Sequence, residues 1–166
     1  MSAPQSAPVS VLKTETAIRP AQLRDIAALG ELLSPFVASG VLLPRDETNL
    51  TRNLREFFLL EWRGEIAACA ALQIFTRELG EVRSLAVAPQ FARRGFGRQL
   101  VARVESEAAS LGLSRLIALT VEAEFFHKLG YRTVDMRDLP EKLWGVCINC
   151  PKFRNCDEIA VQKDLQ

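Results

Sequence analysis

A chain of 166 residues suits one domain and leaves too little for a second independent core. Its 21 basic and 20 acidic residues give a formal net charge of +1, which gives no support for a nucleic-acid partner or a polybasic membrane contact. With 48% hydrophobic and 25% charged residues and no apolar run of about 18, the composition is that of a globular protein without a membrane-spanning helix.

The opening MSAPQSAPVSVLK has neither a basic nor an apolar signal region and reads as a disordered tail, residues 1–13, ahead of one domain over 14–166. Thr14 to Arg19 reads as a strand. Pro20 then leads into a helix with Leu23, Ile26, Gly30 and Leu33 on one face. Ser34 to Pro44, broken by Pro35, Gly40 and Pro44, reads as a loop with a short helical piece. Asp46 is placed to cap a second helix whose inner stripe is Leu50, Leu54 and Phe57. Phe58–Trp62, the turn Arg63-Gly64 and Glu65–Ile74 read as a hairpin, and IAACAAL, apolar on both faces, as a central strand. Glu81–Ala88 is a further strand, stopped by Pro89.

A long helix follows, with Phe96, Leu100, Val101, Val104, Ala108 and Leu111 at helical spacing. Ser114–Val121 reads as a strand, Glu122–Leu129 as a short helix stopped at Gly130, and Tyr131–Val134 and Glu158–Val161 as strands. Such an order predicts an α/β or α+β sheet with helices on both faces.

Between the strand at Glu81 and the long helix stands ARRGFGR. Gly95 and Gly97 permit close backbone approach, the helix start offers unpaired N–H groups, and Arg93, Arg94 and Arg98 add positive charge. These are the parts of an anion site. Neither a GK[ST] sequence nor a third glycine with a ribose-binding acid accompanies it, so the Walker phosphate loop of nucleoside triphosphatases and the dinucleotide fold are both disfavoured. On spacing alone a glycine-containing helix start with solvated arginines remains an equal reading.

LAVAPQFARRGFGRQLV resembles the signature of the GNAT acetyltransferases, and FFHKLGY resembles the segment that closes that domain; the resemblance covers about residues 14–135. It implies the GNAT fold, a mixed central sheet flanked by helices, and acetyl-CoA as co-substrate. By this resemblance the strand contacts to the pantetheine arm fall at Leu85, Ala86 and Val87. The pyrophosphate falls on Arg93, Arg94, Gly95, Phe96, Gly97 and Arg98. The motif's leading Gln or Arg is Ala92 here.

VLLPR at 41–45, ACAAL, EVRSLAV, LTVEAEFF and the tail LPEKLWGVCINCPKFRNCDEIAV are similar to the short, single-domain N-acetylglutamate synthases of arginine biosynthesis. That similarity implies acetyl transfer to the α-amino group of L-glutamate; a cytoplasmic setting is the default expectation from the lack of a signal region. No room exists in 166 residues for the arginine-sensing kinase-like domain of longer members, so direct feedback through one is not expected. Glu81 stands where many GNAT enzymes place the carboxylate that deprotonates the amine; the competing reading is a half-exposed Glu at a strand edge. The usual acidic Tyr is Phe126 here, a loss shared with N-acetylglutamate synthases. Tyr131 reads as core and His127 as surface.

Glutamate carries two carboxylates, so its site needs at least two cations, for which Arg45 and then Arg83 are the candidates, each balanced by a solvated-surface reading. Arg19 reads as either a further candidate or an ordinary charged strand end.

Cys147, Cys150 and Cys156 form C-x2-C-x5-C, open to readings as a structural zinc site with Asp157 or His127, as packed or free thiols, or as groups in a redox or disulfide role. No metal ligand is committed. Cys69 reads as a buried small residue. The alternatives are a GNAT enzyme for another amino acid, amine or protein N-terminus, and a CoA-binding domain without activity. A homodimer is raised only by analogy with the family.

Overall fold

A computed structural model describes residues 15–139, 141 and 145–165; the expected tail, Thr14 and Trp144 lie outside them. The elements in chain order are β1 (Thr16–Pro20), α1 (Ile26–Ala38), α2 (Glu47–Arg52), β2 (Phe57–Trp62), β3 (Glu65–Ile74), β4 (Leu79–Val87), α3 (Phe96–Ser110), β5 (Arg115–Thr120), α4 (Ala123–His127), β6 (Arg132–Thr133) and β7 (Ile159–Asp164). The strands form one mixed seven-stranded sheet in the order β1-β2-β3-β4-β5-β7-β6. Among the described residues only β4 and β5 pair in parallel.

Local chemistry accounts for the first half. Arg63 and Gly64, at φ 53° and 85°, make the two-residue turn that matches the twist of the β2–β3 hairpin. Asp46 accepts the Asn49 N–H at 2.7 Å and caps α2 as expected. Residues 67–71 of β3 are fully buried between the flanking strands, which explains why the run is apolar on both faces. One face of the sheet packs on α3 through Leu100, Val101, Val104 and Ala108; the other packs on α1 and α2 through Leu29, Leu33 and Leu50. Burying a side chain such as Leu100 stabilises by about 1.5–3 kcal/mol.

Three expectations need correction. Helix α1 runs through Pro35 to Ala38 in place of the expected loop. Proline removes one N–H donor, but the stripe of Leu29 and Leu33 continues into Phe36, which packs on the same core. Phe57 leaves the second helix and opens β2, because α2 ends at Arg52 and a 3-10 turn at Leu54–Glu56 changes direction. Leu111 is 56% exposed, since α3 has already ended at Ser110.

The sheet carries one interruption that matters for function. Cys69 faces Ala86, whereas Ala71 faces Arg83, so β4 holds one extra residue across two positions of β3. Ser84 lies within this bulge at φ 51°. The β4–β5 pairing runs from Leu79–Arg115 to Glu81–Ile117 and ends there. Past that point the two strands splay, and the β4 edge from Val82 to Val87 faces a gap.

Candidate active site

The gap is a cleft of about 450 Å³. Its walls are Val82–Val87 of β4, Leu119–Glu122 after β5, Gly97 at the start of α3, and Phe125 and Phe126 of α4. Leu85, Ala86 and Val87 thus lie together along one wall. At the cleft's end stands the loop from Arg93 to Arg98. Gly95, at φ 77°, turns the chain into α3. The first intrahelical bond is Gln99 N–H to Gly95 O at 3.1 Å. The N–H groups of Phe96, Gly97 and Arg98 precede it, where the helix itself offers no acceptor.

Side chains of this loop divide by role. The ring of Phe96 is buried at 4% exposure and lies tilted 6.4 Å from Trp62, which leaves its backbone as the part open to the cleft's end. Arg93, Arg94 and Arg98 are exposed, and the Arg94 guanidinium lies 4.3 Å from the Trp62 ring centroid. A Cβ on Gly97 would stand 3.4 Å from Phe125 Cζ and 3.7 Å from Val87 Cγ2. The glycine therefore keeps open the junction where helix start, β4 and α4 meet.

A second, more polar pocket of about 250 Å³ adjoins the cleft. It is lined by the segment Val41–Arg45, by Asn49, Asn53 and Glu56, by Gln73, Glu81, Arg83 and Ser84, and by Leu119 and Glu158. Arg83, Ser84, Leu119 and Glu158 belong to both spaces. Three of the residues singled out from the sequence (Arg45, Glu81 and Arg83) are brought together here.

Glu81 is 3% exposed and sits between Gln73 of β3 and Ile117 of β5, at the last paired position before the splay. It is not at a strand edge. Arg83, two residues on, donates from Nη1 to Gln73 Oε1. Arg45 carries a buried Nη1 with no hydrogen-bond partner among the described residues. Burial, and then repulsion from Arg83, push its guanidinium down to about 10. Glu56, half buried in the same pocket, has its carboxyl raised by burial, against the opposing pull of Arg45 and Arg83.

Other candidates fall outside. Arg19 is engaged by Asp25 at 2.7 Å and Glu61 at 2.7 Å and serves the scaffold. Tyr131 is core, with its phenol raised by burial and by the Glu105 carboxylate, so it does not stand in for the acid absent at Phe126. His127 is exposed and bonds Thr133 Oγ1 at 2.9 Å. Among the described residues no group of three Cys, His, Asp or Glu side chains converges to hold a metal, and the zinc reading of Cys147, Cys150 and Cys156 finds no support.

Glu56, Gln73 and Glu158 were not singled out from the sequence. They join the pocket from a 3-10 turn, a strand and the entry to β7, and no local spacing marks them. A larger groove of about 510 Å³ elsewhere, between α1 and the β2–β3 turn, is lined by Glu31 and Glu65 but by no basic side chain.

A sequence model of the acetyltransferase (GNAT) family matches residues 27–131. The chain is 35% identical to an uncharacterised N-acetyltransferase of Chlorobaculum tepidum, across 91% of this chain and 97% of that protein. It is 37% identical to an amino-acid acetyltransferase of Neisseria meningitidis across 75% of this chain, but spans only 29% of that longer protein. N-acetylglutamate synthase of Neisseria gonorrhoeae, complexed with coenzyme A and N-acetyl-glutamate, superposes with a TM-score of 0.82 at 29% identity, over 93% of this chain and 36% of that one. A Mycobacterium tuberculosis protein in complex with CoA gives 0.79 at 25% identity, over 90% and 99%.

Proposed function

Because the chain belongs to the GNAT acetyltransferase family, we propose that it transfers acetyl from acetyl-CoA to the α-amino group of L-glutamate, the first step of arginine biosynthesis. The observation that carries this reading is the meeting of Glu81, Arg45 and Arg83 in one pocket that opens into the cleft along β4. We take residues 14–166 as one catalytic domain, working in the cytoplasm; no helix among the described residues is long and apolar enough to cross a membrane.

Several features fit acetyl-CoA. The splayed β4 edge at Leu85–Val87 offers backbone groups to an extended amide-bearing arm. The start of α3, with Gly95 and Gly97, suits a pyrophosphate. Acetyl-CoA supplies an activated acetyl group; the protein must deliver a neutral amine beside it. Glu81 is the group we assign to remove the ammonium proton, directly or through water, a role worth about 10²–10⁴-fold in rate.

Arg45 and Arg83 are assigned to the two carboxylates of the acceptor. An arginine with a buried Nη1 that lacks a hydrogen-bond partner gains most from an anionic ligand, because charge-assisted bonds are about twice as strong as neutral ones. Glu56 and Glu158 supply the negative charge that an α-ammonium needs. The same two arginines disfavour polycationic acceptors such as polyamines.

Thiol release from acetyl-CoA, measured across a panel of amino acids, tests the proposal. Stimulation by L-glutamate above all others supports it. Stimulation by a different amine keeps the enzyme class and discards the substrate, and release with no acceptor dependence discards both.

A further inference from the structure

The motif C-x2-C-x5-C has no part in acetyl transfer, yet it borders the acceptor pocket. Cys147, Cys150 and Cys156 line one cavity of about 190 Å³ together with Met136 and Phe153. Arg83, Leu119 and Glu158 stand on the walls of both this cavity and the acceptor pocket. The cavity of the thiols and the acceptor pocket therefore share walls. None of them lines the cleft assigned to acetyl-CoA.

Within the loop, Cys147–Asn149 forms a 3-10 turn closed by the Cys150 N–H, which donates to Cys147 O at 3.0 Å. Closed turns hold their first and fourth Cα atoms within about 7 Å, and a disulfide spans about 4.4–6.8 Å. Cys156 lies six residues further on, with its thiol directed at Glu158 Oε2 at 4.0 Å. The loop is also latched to the opposite wall. Lys152 Nζ donates to Gly40 O at 2.5 Å, and Gly40 precedes Val41–Arg45, which faces the acceptor pocket. A change of shape in the cysteine turn reaches that wall through Lys152.

We propose that Cys147 and Cys150 are a reversible dithiol–disulfide pair that controls acceptor binding. The oxidant is a low-molecular-weight disulfide such as oxidised glutathione. One protein thiolate attacks it, its S–S bond breaks, and a mixed disulfide forms with release of one small thiol. The second cysteine then displaces the other small thiol as the Cys147–Cys150 bond forms. The protein loses two hydrogens and two electrons, and the small disulfide gains both. Closing the bond turns two side chains away from the cavity they line and strains the Lys152 latch, so the acceptor pocket, which shares Leu43 with that cavity as well, loses its shape.

The control over acceptor binding rests on the acceptor site proposed above, whereas bond formation is read without catalysis. The full-length protein is equilibrated in oxidised and reduced glutathione mixtures and its intact mass and thiols are measured. A loss of about 2 Da without bound glutathione is expected, with the four thiols falling to two. Cys150→Ser should abolish the loss and Cys156→Ser should keep it. In the wild type the acceptor KM should rise by at least about fivefold on oxidation. No mass loss at any ratio, or a loss that persists in Cys150→Ser, overturns the pair. A bond that forms with the acceptor KM unchanged overturns the control. Absence of any amino-acid acceptor would sink the function proposed above and leave the mass result to stand or fall on its own.

Discussion

The Arg45 guanidinium lies 5.1 Å from the centroid of the Phe57 ring, so the residue that opens β2 also supports the cation of the acceptor pocket. Arg45 pays for this position with a buried Nη1 that has no partner. Arg45→Ala should therefore raise the acceptor KM by roughly 10–100-fold, the loss of one or two charge-assisted bonds at about 1.5–3 kcal/mol. The acetyl-CoA KM should stay within about twofold. Equal changes in both constants, read by steady-state kinetics, would remove Arg45 from the acceptor site.

Glu81→Gln keeps the shape of a side chain that is 3% exposed and removes its capacity to take a proton. A fall in kcat of about 10²–10⁴-fold is expected, with acetyl-CoA affinity by calorimetry unchanged. An unaltered rate at every pH would mean that another group, or solvent, deprotonates the amine.

Gly97→Ala places a methyl 3.4 Å from the Phe125 ring. Ala is a better helix former than Gly, by about 1 kcal/mol in a helix interior and less at the second residue of α3, so thermal stability should hold or rise. The methyl makes ordinary contact with Phe125 and Val87 and fills space in the cleft wall, so acetyl-CoA binding should weaken by about tenfold. Unweakened binding in calorimetry would show that the junction has slack.

Asp25 links acid stability to the scaffold. Its carboxylate accepts from both Arg19 Nη groups, at 2.7 and 2.9 Å, and from the Gln22 N–H at 2.7 Å. The Arg19 bonds foremost, then the Gln22 N–H, hold its pKa below the usual carboxylate value. With the folded value below the unfolded one, the contribution is complete above about pH 4 and disappears as pH falls through the folded pKa. Asp25→Asn should cost about 2 kcal/mol at pH 7 and far less near pH 2. Urea denaturation at the two pH values decides, and an equal cost at both would contradict the ion pair.

Cys69 is fully buried and its thiol is pushed up to about 12 by burial. Native alkylation at pH 8 should spare it while modifying Cys156, and mass spectrometry of the labelled peptides would show the reverse if β3 opens readily.

Much of the scaffold could be read directly, because its causes are local. The Asp46 cap, the Arg63-Gly64 turn and the stripe from Phe96 to Ala108 each need only neighbours along the chain to be recognised. Where distant packing decides, reading failed. Helix α1 passes Pro35 because Leu33 and Phe36 share a buried face with α2, and Phe57 joins β2 because Ala71 awaits it across the sheet. The site divides in the same way. The loop from Arg93 to Arg98 and Glu81 fall in one contiguous stretch, whereas Glu56 and Glu158 approach from segments over a hundred residues apart in sequence. The bulge at Ser84 leaves no mark in composition, since only the pairing of β3 with β4 defines it.

Ser84 at φ 51° and Arg93 at φ 63° hold a backbone conformation that glycine adopts freely, at about 1–2 kcal/mol each. One sits in the bulge beside the acceptor and the other ahead of the α3 start. Directed evolution for heat resistance alone should therefore find Ser84→Gly and Arg93→Gly among its first gains, and a screen blind to turnover would drift away from the enzyme as it improved the protein.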